Sequence, residues 1–178
     1  MEFVSPDPDA LVRAANIHAT LNAFTHEPEL GKRVVEAHGI RIDELLPDNY
    51  IPVQRWLDAL KDIQERVGKV VLRKVGRGII LAADFPPHLD NVESIVEALN
   101  DIYYLNHKGN VGKYITSKEA DGSFVVKCAT PYPRAFEHGL VEGFAEHRAL
   151  TQGKRYFVRY EDGPPDSDIT CIVTLKPL

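Results

Sequence analysis

The chain predicts an α+β domain: about six helices, mostly N-terminal, packed on a four-stranded antiparallel sheet. Three observations carry this. Apolar residues recur at helical spacing through the first two-thirds of the 178 residues. Short β-rich runs separated by turn residues fill the last third, around one further helix. Helices grouped ahead of strands imply segregated layers, not alternating βαβ units.

The elements follow in order. Ser5-Pro6-Asp7-Pro8-Asp9 reads as a helix start with acids where the dipole favours them, and Leu11, Ala14, Ala15, Ile17, Leu21 and Phe24 keep helical spacing behind it. A second helix opens at Pro28 and ends at Gly39, which suits a left-handed cap. A third opens at Pro52 and carries Val53, Trp56, Leu57, Leu60, Ile63 and Val67 to a stop at Gly68. Val70 to Leu81 is apolar without a clear period; the glycines at 76 and 78 weaken a helix there, and the reading is a helix with a close-packed glycine face. After the break at Pro86-Pro87, Leu89, Val92, Ile95, Val96, Leu99, Ile102 and Tyr103 form the strongest helical stripe of the chain, ending near Leu105, with Asp90 or Asn91 as cap.

Strands come next. Gly112 to Ser117 and Phe124 to Ala129 flank the turn Ala120-Asp121-Gly122, a good hairpin signal. A helix runs from about Arg134 to Leu150. Tyr156 to Tyr160 and Ile169 to Leu175 are the last two strands, joined by a loop at Gly163-Pro164-Pro165-Asp166-Ser167.

Composition narrows the function. A net charge of −5 and a pI near 5.8 argue against nucleic acid as the main partner, because phosphate binding needs a basic face. The apolar windows are too short to span a bilayer. The acidic N-terminus lacks the layout of a secretory signal, and the two cysteines are expected to be reduced in a cytoplasmic protein. No CxxC, HExxH, Gly-x-Ser-x-Gly or complete dinucleotide fingerprint occurs. Gly76-Arg77-Gly78 reads as close helix packing, and Glu142 with Glu146 as solvated acids on a helix surface.

The most informative stretch runs from Ala98-Leu99-Asn100-Asp101-Ile102-Tyr103 through His107-Lys108-Gly109 and Val111-Gly112-Lys113-Tyr114. It continues at Cys128-Ala129-Thr130-Pro131-Tyr132-Pro133 and Phe136 to Phe144. Over these residues the chain resembles the four-vinyl-reductase domain family, in a superfamily that includes haem-based nitric oxide and oxygen sensor domains and vesicle-tethering (TRAPP) subunits. The resemblance covers residues 46–178, leaving 1–45 as a helical N-terminal extension of a single domain. It implies an α+β domain, commonly a homodimer, with an apolar pocket between helices and sheet for a small hydrophobic ligand, and a regulatory role without catalysis. In that branch haem is not the expectation, so haem is read as an unlikely cofactor. The Tyr-x-Ser-x-Arg pattern of the haem branch is only approximated by Tyr114-Ile115-Thr116-Ser117-Lys118. Relatives carry a metal-binding cysteine near the Tyr-Pro bend and more in the final hairpin; here Arg134 follows Pro133 and only Cys171 matches.

The candidate ligand-binding set is Trp56, Tyr103, His107, Phe124, Tyr132, Arg134, Phe136, Leu140 and Phe144. Pockets are mostly apolar with a few polar groups, although the same spacing suits a filled core. Zinc could be held by Cys128 and Cys171 with Glu161, Asp162, His138 or His147, whereas the plainer reading is two small buried hydrophobes. His107 is read as a helix-end histidine on the last carbonyls. Two further readings stand beside the ligand-binding one: an adaptor subunit with a filled core, and a zinc- or haem-dependent sensor or enzyme.

Overall fold

The computed structural model describes residues 2–24 and 28–178. Their order is β1 (Leu11–Arg13), α1 (Ala14–Asn22), α2 (Pro28–Ala37), β2 (Tyr50–Pro52), α3 (Val53–Leu81), α4 (Val92–Leu105), β3 (His107–Lys108), β4 (Lys113–Lys118), β5 (Phe124–Ala129), α5 (Arg134–Glu146), α6 (Arg148–Thr151), β6 (Tyr156–Asp162) and β7 (Cys171–Pro177). This is the α+β architecture the sequence predicts. The main sheet has the order β4-β5-β7-β6 and is antiparallel throughout. Its inner face follows from strand alternation: Phe124, Val126 and Cys128 of β5 and Cys171, Val173 and Leu175 of β7 are buried, with half-buried residues between them.

The N-terminal segment differs from expectation. The helix predicted from Ser5-Pro6 begins only at Ala14, and residues 11–13 form a strand instead. β1 is the centre of a second, three-stranded sheet, β2-β1-β3, in which Val12 lies opposite Ile51 on one side and His107 on the other. Asp7, expected to favour a helix dipole, accepts from the backbone N–H groups of Asp9 and Asn110. It thereby ties the N-terminus to the turn after β3. Strands of two or three residues carry no readable period, so this sheet leaves no sequence signal. Its effect is to hold residues 107–108, just past the end of α4, in a fixed register.

Asn91 caps α4 in a reciprocal box with Ser94. α3 is interrupted at Gly68 (φ 81°, ψ 164°), the predicted stop, and resumes toward Leu81. This resumed half lies along α5 at unusually short range. A Cβ on Gly76 would overlap the carbonyl of Phe136, one on Gly139 would overlap the carbonyl of Arg73, and one on Gly143 would stand 2.6 Å from Ile80 Cβ. Of the two glycines expected to form a close-packed face, Gly76 meets α5, which answers with glycines of its own, whereas Gly78 packs against Ala23. Glu142 and Glu146, expected to be merely solvated, flank the crossing: Arg73 donates to both oxygens of Glu142 (2.6 and 3.0 Å), and Arg77 Nη1 lies 3.4 Å from Glu146 Oε1.

Gly139→Ala is expected to lower stability by about 1–3 kcal/mol despite alanine's better helix propensity, because backbone and not a flexible side chain must give way. Chemical denaturation of the variant checks this; an unchanged midpoint would show that the helices are not in backbone contact.

Candidate functional site

A pocket of about 220 Å³ lies between α1, α3, α4, α5 and β4. That exceeds the roughly 150 Å³ of an engineered apolar cavity able to hold benzene. α4 contributes Ile95, Leu99, Ile102 and Tyr103, a single stripe at helical spacing that its C-cap Asn106 continues; α5 contributes Phe136, Leu140 and Phe144, each one turn apart. Trp56 of α3 and Asn16 and Thr20 of α1 close the other side. Seven of the nine ligand-binding candidates therefore meet: Trp56, Tyr103, His107, Tyr132, Phe136, Leu140 and Phe144 all line the pocket. Asn16, Thr20 and Tyr114 join them without being sequence candidates. α1 is placed here only through the small sheet, which the sequence hides.

Two candidates do not belong to it. Phe124 is buried at the far end of β5, opposite Leu175, and lines a separate polar cleft with Asn91 and Lys154. Arg134 points outward to Asp162 (3.0 Å) and Glu2 (3.4 Å). Position at a proline bend says nothing about which way a long side chain turns, and the acids on β6 and near the N-terminus decide it.

The polar end of the pocket is built on His107. The small sheet fixes its backbone, and its ring is buried. Nδ1 lies 2.7 Å from the Tyr103 carbonyl oxygen and Nε2 lies 2.7 Å from the Tyr132 hydroxyl. A carbonyl only accepts, so Nδ1 carries the hydrogen. Burial lowers the pKa of the ring to about 4, so near neutral pH it is uncharged. Nε2 then holds a lone pair, and Tyr132 donates to it. Helix-end carbonyl bonding is the expected role of His107, and it is observed; the second bond, to Tyr132, has no counterpart in the sequence reading. Tyr103 itself donates to the carbonyl of Val111 at 2.7 Å and packs edge-on against Tyr114.

Behind Tyr114 lies a residue absent from the sequence candidates. Glu137 is wholly buried and accepts from the hydroxyls of Tyr114 and Thr130, both at 2.5 Å. Burial raises its pKa to about 7, partly offset by those two donors. An acid between Phe136 and His138 looks like the polar side of an amphipathic helix. The usable signal is the glycine pair 139 and 143: a helix with its glycine face against a partner also presents a second face to the sheet.

Cys128 and Cys171 lie directly opposite on β5 and β7, both buried and unbonded as thiols. A hydrogen bond to Cys171 and burial push the Cys128 thiol well up. The acids and histidines proposed to join them are engaged otherwise: Asp162 lies opposite Cys171 on β6 but its carboxylate pairs with Arg134, Glu161 pairs with Arg159, His138 stacks on Tyr160 and His147 meets Phe85 edge-on. Among the described residues no group of three or more His, Cys, Asp or Glu is placed to hold a metal ion, and no helix is long and apolar enough to cross a membrane.

Two opposed titrations predict a distinctive pH profile. Glu137 binds its proton more tightly in the fold than at the ordinary value of 4.5, so its contribution to stability is full below that value and fades as pH rises through about 7. His107, lowered from 6.5 to about 4, does the reverse: its contribution is present above 6.5 and is lost as pH falls toward 4. Each displacement corresponds to about 3 kcal/mol, and between pH 4.5 and 6.5 they largely cancel. Glu137→Gln should therefore lose stability as pH falls from 6.5, and His107→Gln should lose it as pH rises from 4.5. Thermal melts across this range read both slopes; parallel profiles for the two variants would refute the assignment.

No family model and no curated protein matches this chain. Solved structures do. An H-NOX protein from S. oneidensis in the Fe(II) ligation state aligns with a TM-score of 0.62 at 11% identity, over 92% of this chain and 93% of that one. A doubly substituted Tt H-NOX gives 0.65 at 13%, over 93% and 94%. The Shewanella oneidensis H-NOX domain in its Fe(II)CO state gives 0.64 at 12%, over 94% and 98%. The expectation that haem is unlikely is thus overturned: the solved domains sharing this architecture are described in Fe(II), Fe(II)NO and Fe(II)CO states. It rested on the branch that the local motif resembles, whereas the likeness spans nearly the whole chain. The chain has the H-NOX fold.

Proposed function

We propose that this chain is a non-catalytic sensory domain whose pocket holds a small, largely apolar molecule or prosthetic group, with haem the leading candidate. The observation that carries the reading is the pocket itself: apolar walls from α3, α4 and α5 with one buried, neutral imidazole at the polar end. A neutral imidazole suits an iron ligand, while among the described residues no lysine or arginine lines the pocket to meet the haem propionates. Among the described residues His107 is the one histidine in the lining, and its Nδ1–H is held by a backbone carbonyl, the arrangement that fixes tautomer and orientation in ligating histidines. When bound, haem supplies an iron able to take a diatomic gas; the solved domains of this fold are described with NO and CO. The protein's own part is to exclude water with Trp56, Phe136, Leu140 and Phe144 and to keep His107 uncharged. Tyr132 must leave Nε2 for that nitrogen to serve as a ligand. The four-vinyl-reductase resemblance favours an organic hydrophobic ligand in the same place, and the homodimer belongs to that resemblance too.

Titration of the purified protein with haemin should give a saturable Soret band at one equivalent per chain. His107→Ala should weaken binding at least ~10-fold, corresponding to about 1.4 kcal/mol. Leu140→Trp should block uptake with little change in melting temperature, since a pocket tolerates filling; a packed core would instead lose about 1–3 kcal/mol. A Soret change insensitive to both substitutions would place haem elsewhere. Native mass spectrometry of the protein as purified reports an organic occupant and the dimer together.

A further inference from the structure

The hydrogen bonds around the pocket can be followed to a ligand class, taking as given that the pocket is a ligand site. Among the described residues four hydroxyl groups line it. Thr20 donates to the carbonyl of Asn16 (2.7 Å), Tyr103 to the carbonyl of Val111 (2.7 Å), Tyr114 to the Glu137 carboxylate (2.5 Å) and Tyr132 to His107 Nε2 (2.7 Å). Carbonyls and an ionised carboxylate only accept, and the tautomer of His107 makes its Nε2 an acceptor as well. Every one of these hydroxyls has therefore turned its single hydrogen away from the cavity, into the protein. What each can still offer is an oxygen lone pair.

The N–H groups left in the lining are the Trp56 indole and the amides of Asn16 and Asn106, all uncharged, and one Asn106 hydrogen is already given to the Ile102 carbonyl. Among the described residues no lysine or arginine lines the pocket. Arg134, which could have supplied a cation, is held outside by Asp162 and Glu2. A buried anion would thus meet oxygen lone pairs and no compensating charge, which is strongly unfavourable away from water.

We propose that the tyrosine–histidine end of this pocket is an acceptor site, selecting at that end an uncharged group that brings its own O–H or N–H. His107 Nε2 is the principal acceptor. The phenol of Tyr132 that now occupies it shows the group that fits: a planar ring carrying one hydroxyl. A ligand of the same chemistry would exchange for the Tyr132 hydroxyl at Nε2, or donate to the Tyr132 or Tyr103 oxygen beside it.

Phenol, anisole and benzoate separate the alternatives, because they share one ring and differ in donor, acceptor and charge. The unmodified protein is titrated with each at about pH 8, where Glu137 is ionised, and binding is read from NMR shifts of the His107 ring and the Leu140 methyls. Phenol is expected to bind at least ~10-fold more tightly than anisole, with movement of the His107 signals, and benzoate not to bind. Equal binding of phenol and anisole overturns the acceptor site while leaving the pocket a ligand site. Tighter binding of benzoate overturns it by revealing a positive charge in the wall. Failure of all three to shift any pocket signal overturns the acceptor site, and haemin titration then decides separately whether the pocket is a ligand site.

Discussion

The close crossing of α3 and α5 is the constraint from which the rest of the structure follows. Gly76 on one helix and Gly139 and Gly143 on the other let the two backbones touch, and the Arg73–Glu142 pair clasps them at the edge. Contact this close uses up one side of α5. Its remaining sides must then be divided between the sheet, which receives Glu137 and Val141, and the space under α4, which receives Phe136, Leu140 and Phe144. A helix held at ordinary distance by larger side chains would move toward α4 and close that space. Small residues at one interface are thus what leaves room at another, since interiors are close-packed and volume removed in one place shifts neighbouring elements.

Polar groups behind the pocket obey a second constraint. Burying an imidazole and a carboxyl without partners would be costly, and each is satisfied by neighbours chosen for direction as much as for number. His107 gives a hydrogen to a helix-end carbonyl and takes one from Tyr132; Glu137 takes two, from Tyr114 and Thr130. Among the described residues neither has an ion-pair partner, so desolvation dominates, and it moves the two groups in opposite directions on the pH scale. The fold thereby keeps His107 uncharged near neutral pH, while Glu137, outside the pocket lining, titrates there.

Much of this is legible in the sequence where a pattern extends over several turns or a full strand. α4, the β4–β5 hairpin, the Gly68 stop and the glycine packing face all follow from spacing and turn chemistry. So do the pocket's α5 side chains, because a stripe at positions i, i+4 and i+8 must face one way. The small sheet is not legible, since its strands are two or three residues long and only pairing defines them. With it goes the placement of α1 and therefore of Thr20 and Asn16. Arg134 and Phe124 show another limit: spacing identifies a face, but which of two buried or half-buried environments that face meets is settled by partners far away in the chain. Glu137 shows a third. A charged residue is read as exposed by default, and only knowledge that α5 is covered on two sides overturns that reading.

The haem reading and the acceptor character of the pocket ask the same thing of the protein. A ferrous centre and a hydroxyl donor both need a lone pair held at a fixed point in a dry, uncharged wall, and His107 Nε2 is that pair. The tautomer is set from behind by Tyr103 and defended in front by Tyr132. Tyr132 has a proline on each side, at the bend that starts α5, which restricts its backbone, and its ring is held by the bond to His107 and by stacking on Phe136. A guest at Nε2 would replace this hydroxyl at the junction between β5 and α5, the helix in glycine contact with α3. Tyr132 thus stands both at the polar end of the pocket and at the start of the helix that is packed on α3.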